Sequence, residues 1–573
     1  MKDKKNVAIK IIVLLYPVLL FYITAFMTYN PFVRTRWRAQ LVNVLLFELL
    51  AVLLFGLLGS AVTALRTEVG LTWLAALVNS YVLNFRGSPL VPWDFLSVRT
   101  AASVATNYSY VPNVRQVLCS MLLLGMFVGA GWLDWKLDRS KWRLRLGSAL
   151  GSMVGMIVLT LALWNDGVVS RLQLYPFLFT PTVMYERNGF VVTFLMDLQY
   201  LKVEKPEGYA TEKAEQLLAS YGEATSGVEP EGVGEEIGKQ YPNVIVIMDE
   251  AFSDLSVLGD FETDRDCMPF LHSLQQGADN TITGMLSVSV KGGNTANTEY
   301  EFLTGNTMAF LPAGSIPYQQ YVRGEISSLA SQLSGLGYET CALHPYNASG
   351  WNRDKVYPWM GFSEFLSKQD FTNASYIRGY VDDASCVEKI IELYQGKAAD
   401  VPGFYFCVTM QNHSSYTDGY VAPEGNNSVP GGSQALEEYL TLVECSDAAL
   451  QQLITYFSSQ SEPTVVVFFG DHQPADSVVA PIWRMQGVDP NNLTEQQNAL
   501  RYQVPYVIWA NFDMESATGK DTSANYLAAQ MCQVVGIPLT SYQKFLMEMS
   551  EDSVADYQML QYYFMFDEEH KNQ

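Results

Sequence analysis

The chain has 573 residues, with 36 Lys+Arg against 59 Asp+Glu and a formal net charge of −23. That length exceeds one ordinary domain, at roughly one per 100–200 residues. So acidic a chain, with no basic stripe, would repel phosphate backbones, which argues against a nucleic-acid partner.

The charge is unevenly divided. Residues 1–165 hold 16 Lys+Arg against 6 Asp+Glu, leaving 20 against 53 for residues 166–573, so the two parts carry +10 and −33. The first part reads as a membrane domain. Apolar runs fall near residues 7–28, 41–63, 71–85, 117–133 and 147–164, against the ~20 residues needed to cross a bilayer. The third is short and carries Asn79 and Asn84. Met1-Lys2-Asp3-Lys4-Lys5 precedes the first run without a small-residue cleavage site, so a retained anchor is expected. Those lysines and the basic loop at 134–145 place both segments inside. With five spans the acidic part emerges outside. Arg34, Arg36 and Arg38 disagree, since they would then face outward. Glu48 lies within the second span, where a carboxylate is either functional or paired with a neighbouring helix.

Residues 168–203 mix aromatics with polar positions, from Tyr175 and Phe177 to Tyr200, and suit either a bilayer surface or a helix packed on the outer domain. Residues 204–240 are rich in Glu, Gly and Pro and read as a linker with one helix at about 210–220. The expected domains are therefore 1–165 (membrane), 166–240 (interfacial helix and linker) and 241–573 (outer catalytic domain). Seven cysteines show no CxxC pair, so neither a disulfide framework nor a thiolate metal site is indicated.

From about 240, short apolar runs alternate with helix-length segments, which predicts a wound, mostly parallel α/β sheet. Candidate strands are 243–248, 338–343, 403–410, 463–469 and 504–510. In such sheets ligands gather at the carboxyl ends of strands. There the chain places Asp249-Glu250, His344, Asn412-His413 and Gly470-Asp471-His472. Each alone suits a cap or a solvated turn. Three of the five histidines at one topological position favour a metal-centred site. Lys291-Gly292-Gly293-Asn294-Thr295 adds a hydroxyl after two glycines, near a helix N-terminus where amide donors favour an anion. A plain cap would look the same.

These elements resemble the lipoteichoic acid synthase family, a branch of the alkaline phosphatase and sulfatase superfamily. The resemblance rests on Asp249-Glu250-Ala251-Phe252-Ser253, Asn294-Thr295-Ala296-Asn297-Thr298-Glu299-Tyr300, Trp351-Asn352-Arg353-Asp354, Asn412-His413 and Gly470-Asp471-His472. It implies five spans followed by an extracellular sulfatase-like domain, in the cell membrane of a Gram-positive-type bacterium. It also implies Mn²⁺ held by Glu250, Thr295, Asp471 and His472, with Thr295 as nucleophile. His344, Trp351, Arg353 and His413 would surround the substrate, with Arg353 clamping phosphate oxygens and His413 as acid or base. Ligand type alone allows Mg²⁺ or Zn²⁺ equally.

The implied reaction moves sn-glycerol-1-phosphate from phosphatidylglycerol to a glycolipid or teichoic-acid-type acceptor, through a phosphoglycerol-threonine intermediate. Two stretches depart from the family: Ala296-Asn297-Thr298-Glu299-Tyr300 after the nucleophile, and Gln473-Pro474 after the Asp-His pair. Both put the acceptor in question. Cys267-Met268-Pro269-Phe270 lacks the context of a sulfatase's modified cysteine, which disfavours sulfate-ester hydrolysis. Phosphoethanolamine transfer, phosphodiester hydrolysis and a degenerate binding or regulatory protein are the competing readings.

Overall fold

The computed structural model describes residues 2–86, 89–97, 110–175, 181–201, 203–222, 241–312, 315–416, 418–490 and 492–567. Phe177 and Phe179 of the aromatic stretch, and residues 223–240 of the expected linker, lie outside these. The chain divides into two compact units, one mainly of residues up to Val203 and one mainly from Glu204 onward.

In the first unit five helices are long and apolar enough to cross a membrane. They are α1 (Lys2–Phe26), α2 (Trp37–Leu58), α3 (Ala61–Arg86), α4 (Val114–Gly129) and α5 (Trp142–Leu163). The third span, weakest in the sequence, is a full helix. Its start moves from the expected 71 to 61, because the apolar run at 41–63 conceals a turn. Gly59, at φ 70°, ends α2 and sends its N–H back to the Phe55 carbonyl. Helices α1, α3 and α4 share a core around Leu20, Leu65, Val69 and Leu123.

The outward arginines have partners within this unit. Arg38 donates to the Arg171 carbonyl at 2.6 Å and Arg36 to that of Gln173, at the carboxyl end of the helix Asp166–Arg171, while Arg34 pairs with Glu186 at 3.5 Å. Cations suit such a terminus. Glu48 is half-buried in α2, and Glu68 in α3, which the sequence reading passed over, is fully buried.

The second unit is built on an eight-stranded sheet. Its strands are β1 (Asn243–Asp249), β2 (Thr281–Ser287), β3 (Glu339–Leu343), β4 (Glu364–Leu366), β7 (Gly403–Val408), β8 (Thr464–Gly470), β9 (Gln503–Ala510) and β10 (Thr522–Ser523). A separate hairpin supplies β5 (Tyr376–Ile377) and β6 (Tyr380–Val381). The spatial order is β10-β2-β9-β8-β1-β7-β3-β4. All pairs are parallel except the two that β9 makes, with β2 and β8. All five expected strands are present.

Burial on both faces explains the apolar runs. On one face Ile245, Ile247, Val466 and Phe468 pack against Leu440, Val443 and Leu450. The last three lie on the helix Gln434–Ser458. On the other, Phe302 stacks on Phe406 at 5.9 Å and meets Phe469 at 5.0 Å. The helix expected at 210–220 is α6 (Thr211–Ser220), which buries Ala214 with Phe545 and Leu560 in this unit.

Strand β8 pairs with β1 in parallel, with Asp249 opposite Gly470. Gly470 is therefore the last strand residue, and a turn is not what requires it. A Cβ there would lie 1.8 Å from the Phe252 carbonyl oxygen. Backbone cannot yield that distance without moving the loop after β1. Gly470→Ala should destabilise the domain by about 1–3 kcal/mol or more, read as a lowered thermal midpoint of the full-length protein, whereas substitution of the exposed Gly396, whose Cβ would meet nothing within 4 Å, with Ser should cost less.

Candidate active site

The parallel register puts the carboxyl ends of β1 and β8 side by side, and the residues just beyond them converge. Glu250, Asp471 and His472 are all buried, and each offers a ligand atom within 4.8 Å of the others. His472 Nε2 lies 3.3 Å from Asp471 Oδ2 and 3.8 Å from Glu250 Oε1. The turn is locked by the Ala251 N–H, which donates to Asp471 Oδ1 at 2.7 Å, and by the Glu250 N–H, which donates to Thr409 Oγ1 at 3.1 Å.

His472 Nδ1 sits 3.0 Å from the Gln473 carbonyl. A carbonyl only accepts, so Nδ1 carries the proton and Nε2 presents its lone pair. Both His472 Nε2 and Asp471 Oδ2 are buried without a hydrogen-bond partner. Orphaned buried acceptors this close are costly unless something positive lies between them. Burial first, then the Asp471 carboxylate, pushes Glu250 up to about 8. The donor set of two carboxylates and one imidazole fits a divalent cation.

Thr295 is the first residue of α7 (Thr295–Thr304), whose side chains are all buried. Gly292, Gly293 and Asn294 precede it at φ 69°, 143° and 69°. That left-handed run turns the chain tightly enough to present a hydroxyl at the helix start. Thr295 Oγ1 donates to Glu250 Oε2 at 3.3 Å. Asn294 makes no side-chain cap, and while the Asn297 N–H donates to the Asn294 carbonyl at 2.9 Å, the Thr295 and Ala296 amides at the helix start suit an anion. Thr298 Oγ1 donates to the Asp471 carbonyl at 2.7 Å, and the Gly292 N–H to that of Gln473 at 2.8 Å. Gln473 in turn donates to the Leu500 and Gln503 carbonyls at 2.8 Å. The departure at Gln473 thus ties the Asp-His segment to the loop before Thr295 and to β9.

The expected phosphate clamp has a different geometry. Arg353, at the start of the helix Arg353–Trp359, is buried, and its Nε and Nη2 donate to the Glu299 carboxylate. Its Nη1 lies 3.1 Å from His344 Nε2. His344 Nδ1 lies 2.9 Å from the Val408 carbonyl, so the ring is neutral, with Nδ1 protonated and Nε2 accepting. Burial and the Arg353 charge hold its pKa well below the usual histidine range. Tyr357 also donates to Glu299, at 2.7 Å. Glu299 neutralises Arg353 across 54 residues of sequence. No local spacing rule reports such a partner.

His413 is half-buried, with Nδ1 2.8 Å from the Ser414 carbonyl and 3.3 Å from Tyr380 Oη. Burial lowers its pKa, which the Ser414 bond and the Asp471 charge oppose. Its loop is fixed by Arg378, which donates to the His413 carbonyl at 3.1 Å and pairs with Asp418 and Glu438. Sequence reasoning missed Arg378, and nothing in its neighbours marks it. Asn412 donates to Asp249 Oδ1 at 3.1 Å and to Ser446 Oγ at 2.8 Å, joining strand ends to the helix behind. Trp351 and Asn352 hold successive left-handed conformations, φ 55° and 60°, which cost of order 1–3 kcal/mol each. Trp351 is half-buried and makes no bond to the Glu250–Asp471–His472 group. Burial pushes the Cys267 thiol up to about 12, far from a nucleophile's range.

The sulfatase family model matches residues 242–537. The chain belongs to the sulfatase family. A Rhizobium meliloti protein named for cyclic beta-1,2-glucan modification is 30% identical over 485 residues, covering 81% of this chain and 71% of that one. Lipoteichoic acid synthase 1 of Bacillus subtilis is 24% identical over 277 residues, covering 46% of this chain and 41% of its own length. Among solved structures, the Streptococcus pyogenes phosphoglycerol transferase GacH, in complex with sn-glycerol-1-phosphate, aligns with a TM-score of 0.52 at 21% identity, covering 64% of this chain and 97% of that one. That likeness establishes the shared fold.

The Arg353–Glu299 pair is a structural hinge of this site. Glu299→Ala leaves a buried guanidinium uncompensated and should destabilise the domain by about 3–5 kcal/mol, measured as a loss of thermal midpoint. Glu299→Ala combined with Arg353→Leu should recover part of that loss.

Proposed function

We propose that this protein transfers sn-glycerol-1-phosphate from phosphatidylglycerol to a hydroxyl of a cell-envelope glycan, with Thr295 as the nucleophile. The observation that carries the reading is the hydroxyl of Thr295 directed at Glu250 beside two orphaned acceptors, Asp471 Oδ2 and His472 Nε2. Glu250, Thr295, Asp471 and His472 would hold one divalent cation, Mn²⁺ by the family resemblance and Mg²⁺ or Zn²⁺ equally by donor type. Such a cation lowers the pKa of a bound hydroxyl and offsets charge on phosphoryl oxygens.

The residues divide the remaining work. Glu250, ionised when a cation is held, accepts the Thr295 hydroxyl proton at Oε2 as Oγ1 attacks phosphorus. The bond from phosphorus to the diacylglycerol oxygen breaks, and that oxygen takes a proton from the charged form of His413, which burial disfavours and the Asp471 carboxylate supports. The phosphoglycerol remains as an ester on Thr295. His413, now neutral, takes the proton of the acceptor hydroxyl, which attacks phosphorus and returns the bonding electrons to Thr295 Oγ1, and Oγ1 recovers its proton from Glu250. First-turn amides of α7 face the anionic group. Arg353 positions His344 and stays paired to Glu299, in place of the clamp first expected of it.

Glycan as acceptor draws on the relative named for cyclic beta-1,2-glucan modification, which matches most of the chain. A teichoic-acid-type acceptor draws on the shorter match to lipoteichoic acid synthase 1. The membrane helices then have a physical purpose. A donor with two acyl chains stays in the bilayer, and tethering keeps the catalytic domain beside it, on the outer face of the cell membrane.

Full-length protein with Mn²⁺ and a fluorescent phosphatidylglycerol should release diacylglycerol. Thr295→Ala should lower that rate by roughly 10³-fold or more, and Thr295→Ser should retain a measurable part. Undiminished release by Thr295→Ala would remove Thr295 as nucleophile.

A further inference from the structure

A cavity of about 470 Å³ lies in the first unit, away from the metal-type cluster. It opens where the carboxyl ends of α1 and α3 meet the amino end of α4, and Thr28, Ser80, Leu83, Asn84, Asn113 and Arg115 line it. Its volume falls within the ~300–1,000 Å³ typical of small-ligand sites. Five alternating spans place this rim at the end of the bundle where α5 finishes and the chain departs for the sulfatase-like domain.

The polar floor is fixed by internal bonds. Thr28 Oγ1 and Tyr185 Oη lie 2.8 Å apart, Asn79 donates to Tyr185 Oη at 2.7 Å, and Gln116 donates to Ser80 Oγ at 2.8 Å. The charge is not balanced in the same way. Arg115 is exposed and gives one N–H to the Thr28 carbonyl at 3.1 Å, out of the five a guanidinium carries. Among the described residues no carboxylate lines the cavity. Directly below, α4 turns Leu118, Met121 and Leu122 outward, each more than half exposed. One unopposed cation above an apolar wall is the pattern of a lipid's phosphate above its acyl chains.

We propose that this cavity seats the headgroup of an anionic glycerophospholipid, with Arg115 on the phosphate and Asn84 at its glycerol. The inference rests on the phosphatidylglycerol reading and deepens it. A net-negative headgroup is held, whereas the ammonium of phosphatidylethanolamine finds no carboxylate to pair with. The cavity thus selects the donor class before the lipid reaches Thr295.

The test uses full-length protein in phosphatidylcholine nanodiscs doped with phosphatidylglycerol or phosphatidylethanolamine, with bound lipid counted by native mass spectrometry. Wild type should retain phosphatidylglycerol in preference to phosphatidylethanolamine. Arg115→Gln should weaken that retention by about tenfold, the worth of one charge-assisted hydrogen bond. Asn84→Leu fills the cavity and breaks no hydrogen bond among the described residues, and it should weaken retention as well. Thr295→Ala, which removes the proposed nucleophile, should retain phosphatidylglycerol as the wild type does, which separates loss of the seat from failure of the chemistry. Equal retention of the two lipids, or undiminished retention by both Arg115→Gln and Asn84→Leu, overturns the proposal. Displacement of the lipid by free sn-glycerol-1-phosphate at matching concentration also overturns it, in favour of a soluble-phosphate site.

Discussion

The site depends on how closely two parallel strands finish together. Asp249 faces Gly470 in the β1–β8 ladder, and the missing Cβ of Gly470 lets the Phe252 carbonyl pass against it. That contact folds the loop after β1 back across the end of β8. Glu250 then falls beside Asp471 and His472, and the Ala251 N–H can hold Asp471 Oδ1. With any side chain at 470 the two loops separate and the three ligand atoms no longer meet. The Thr298 and Gly292 bonds to the same segment bring α7, with Thr295 at its start, to the identical reference point.

Two neighbouring charge clusters are finished differently. Around Arg353, Glu299 answers the guanidinium and receives Tyr357, while His344 is neutral with both ring nitrogens bonded. That cluster is complete and acts as scaffold. Around Glu250, Asp471 Oδ2 and His472 Nε2 are buried 3.3 Å apart without a hydrogen-bond partner. Low polarity makes an incomplete cluster expensive, and the rest of the domain must hold it. Chemistry belongs with the incomplete one.

Much of this was legible in the sequence, for a physical reason. A strand covered on both faces must be apolar throughout, so β1, β7 and β8 stand out, and the polar residues that end them stand out equally. Strand β2 escaped because Thr281-Ile282-Thr283-Gly284 mixes polarity and its partner β9 runs antiparallel. Gly284 there serves close approach, with a Cβ position 2.3 Å from the Lys520 carbonyl. The turn between α2 and α3 hid because Leu57-Leu58-Gly59-Ser60-Ala61 stays nearly as apolar as the helices. Gly470 was noticed, but as a turn residue, since only coordinates reveal the Phe252 carbonyl. The partners of Arg353 and His413, namely Glu299 and Arg378, were beyond reach because a tertiary ion pair leaves no trace in local spacing.

The central claim is that buried groups from two strand ends hold a single cation beside Thr295. Metal content of the purified full-length protein, measured by elemental analysis after dialysis, tests it most directly. One equivalent of a divalent ion per chain in the wild type, and near zero in Asp471→Asn with the fold retained, is the predicted result. Absence of stoichiometric metal in the wild type, or an undiminished equivalent in Asp471→Asn, would contradict the account.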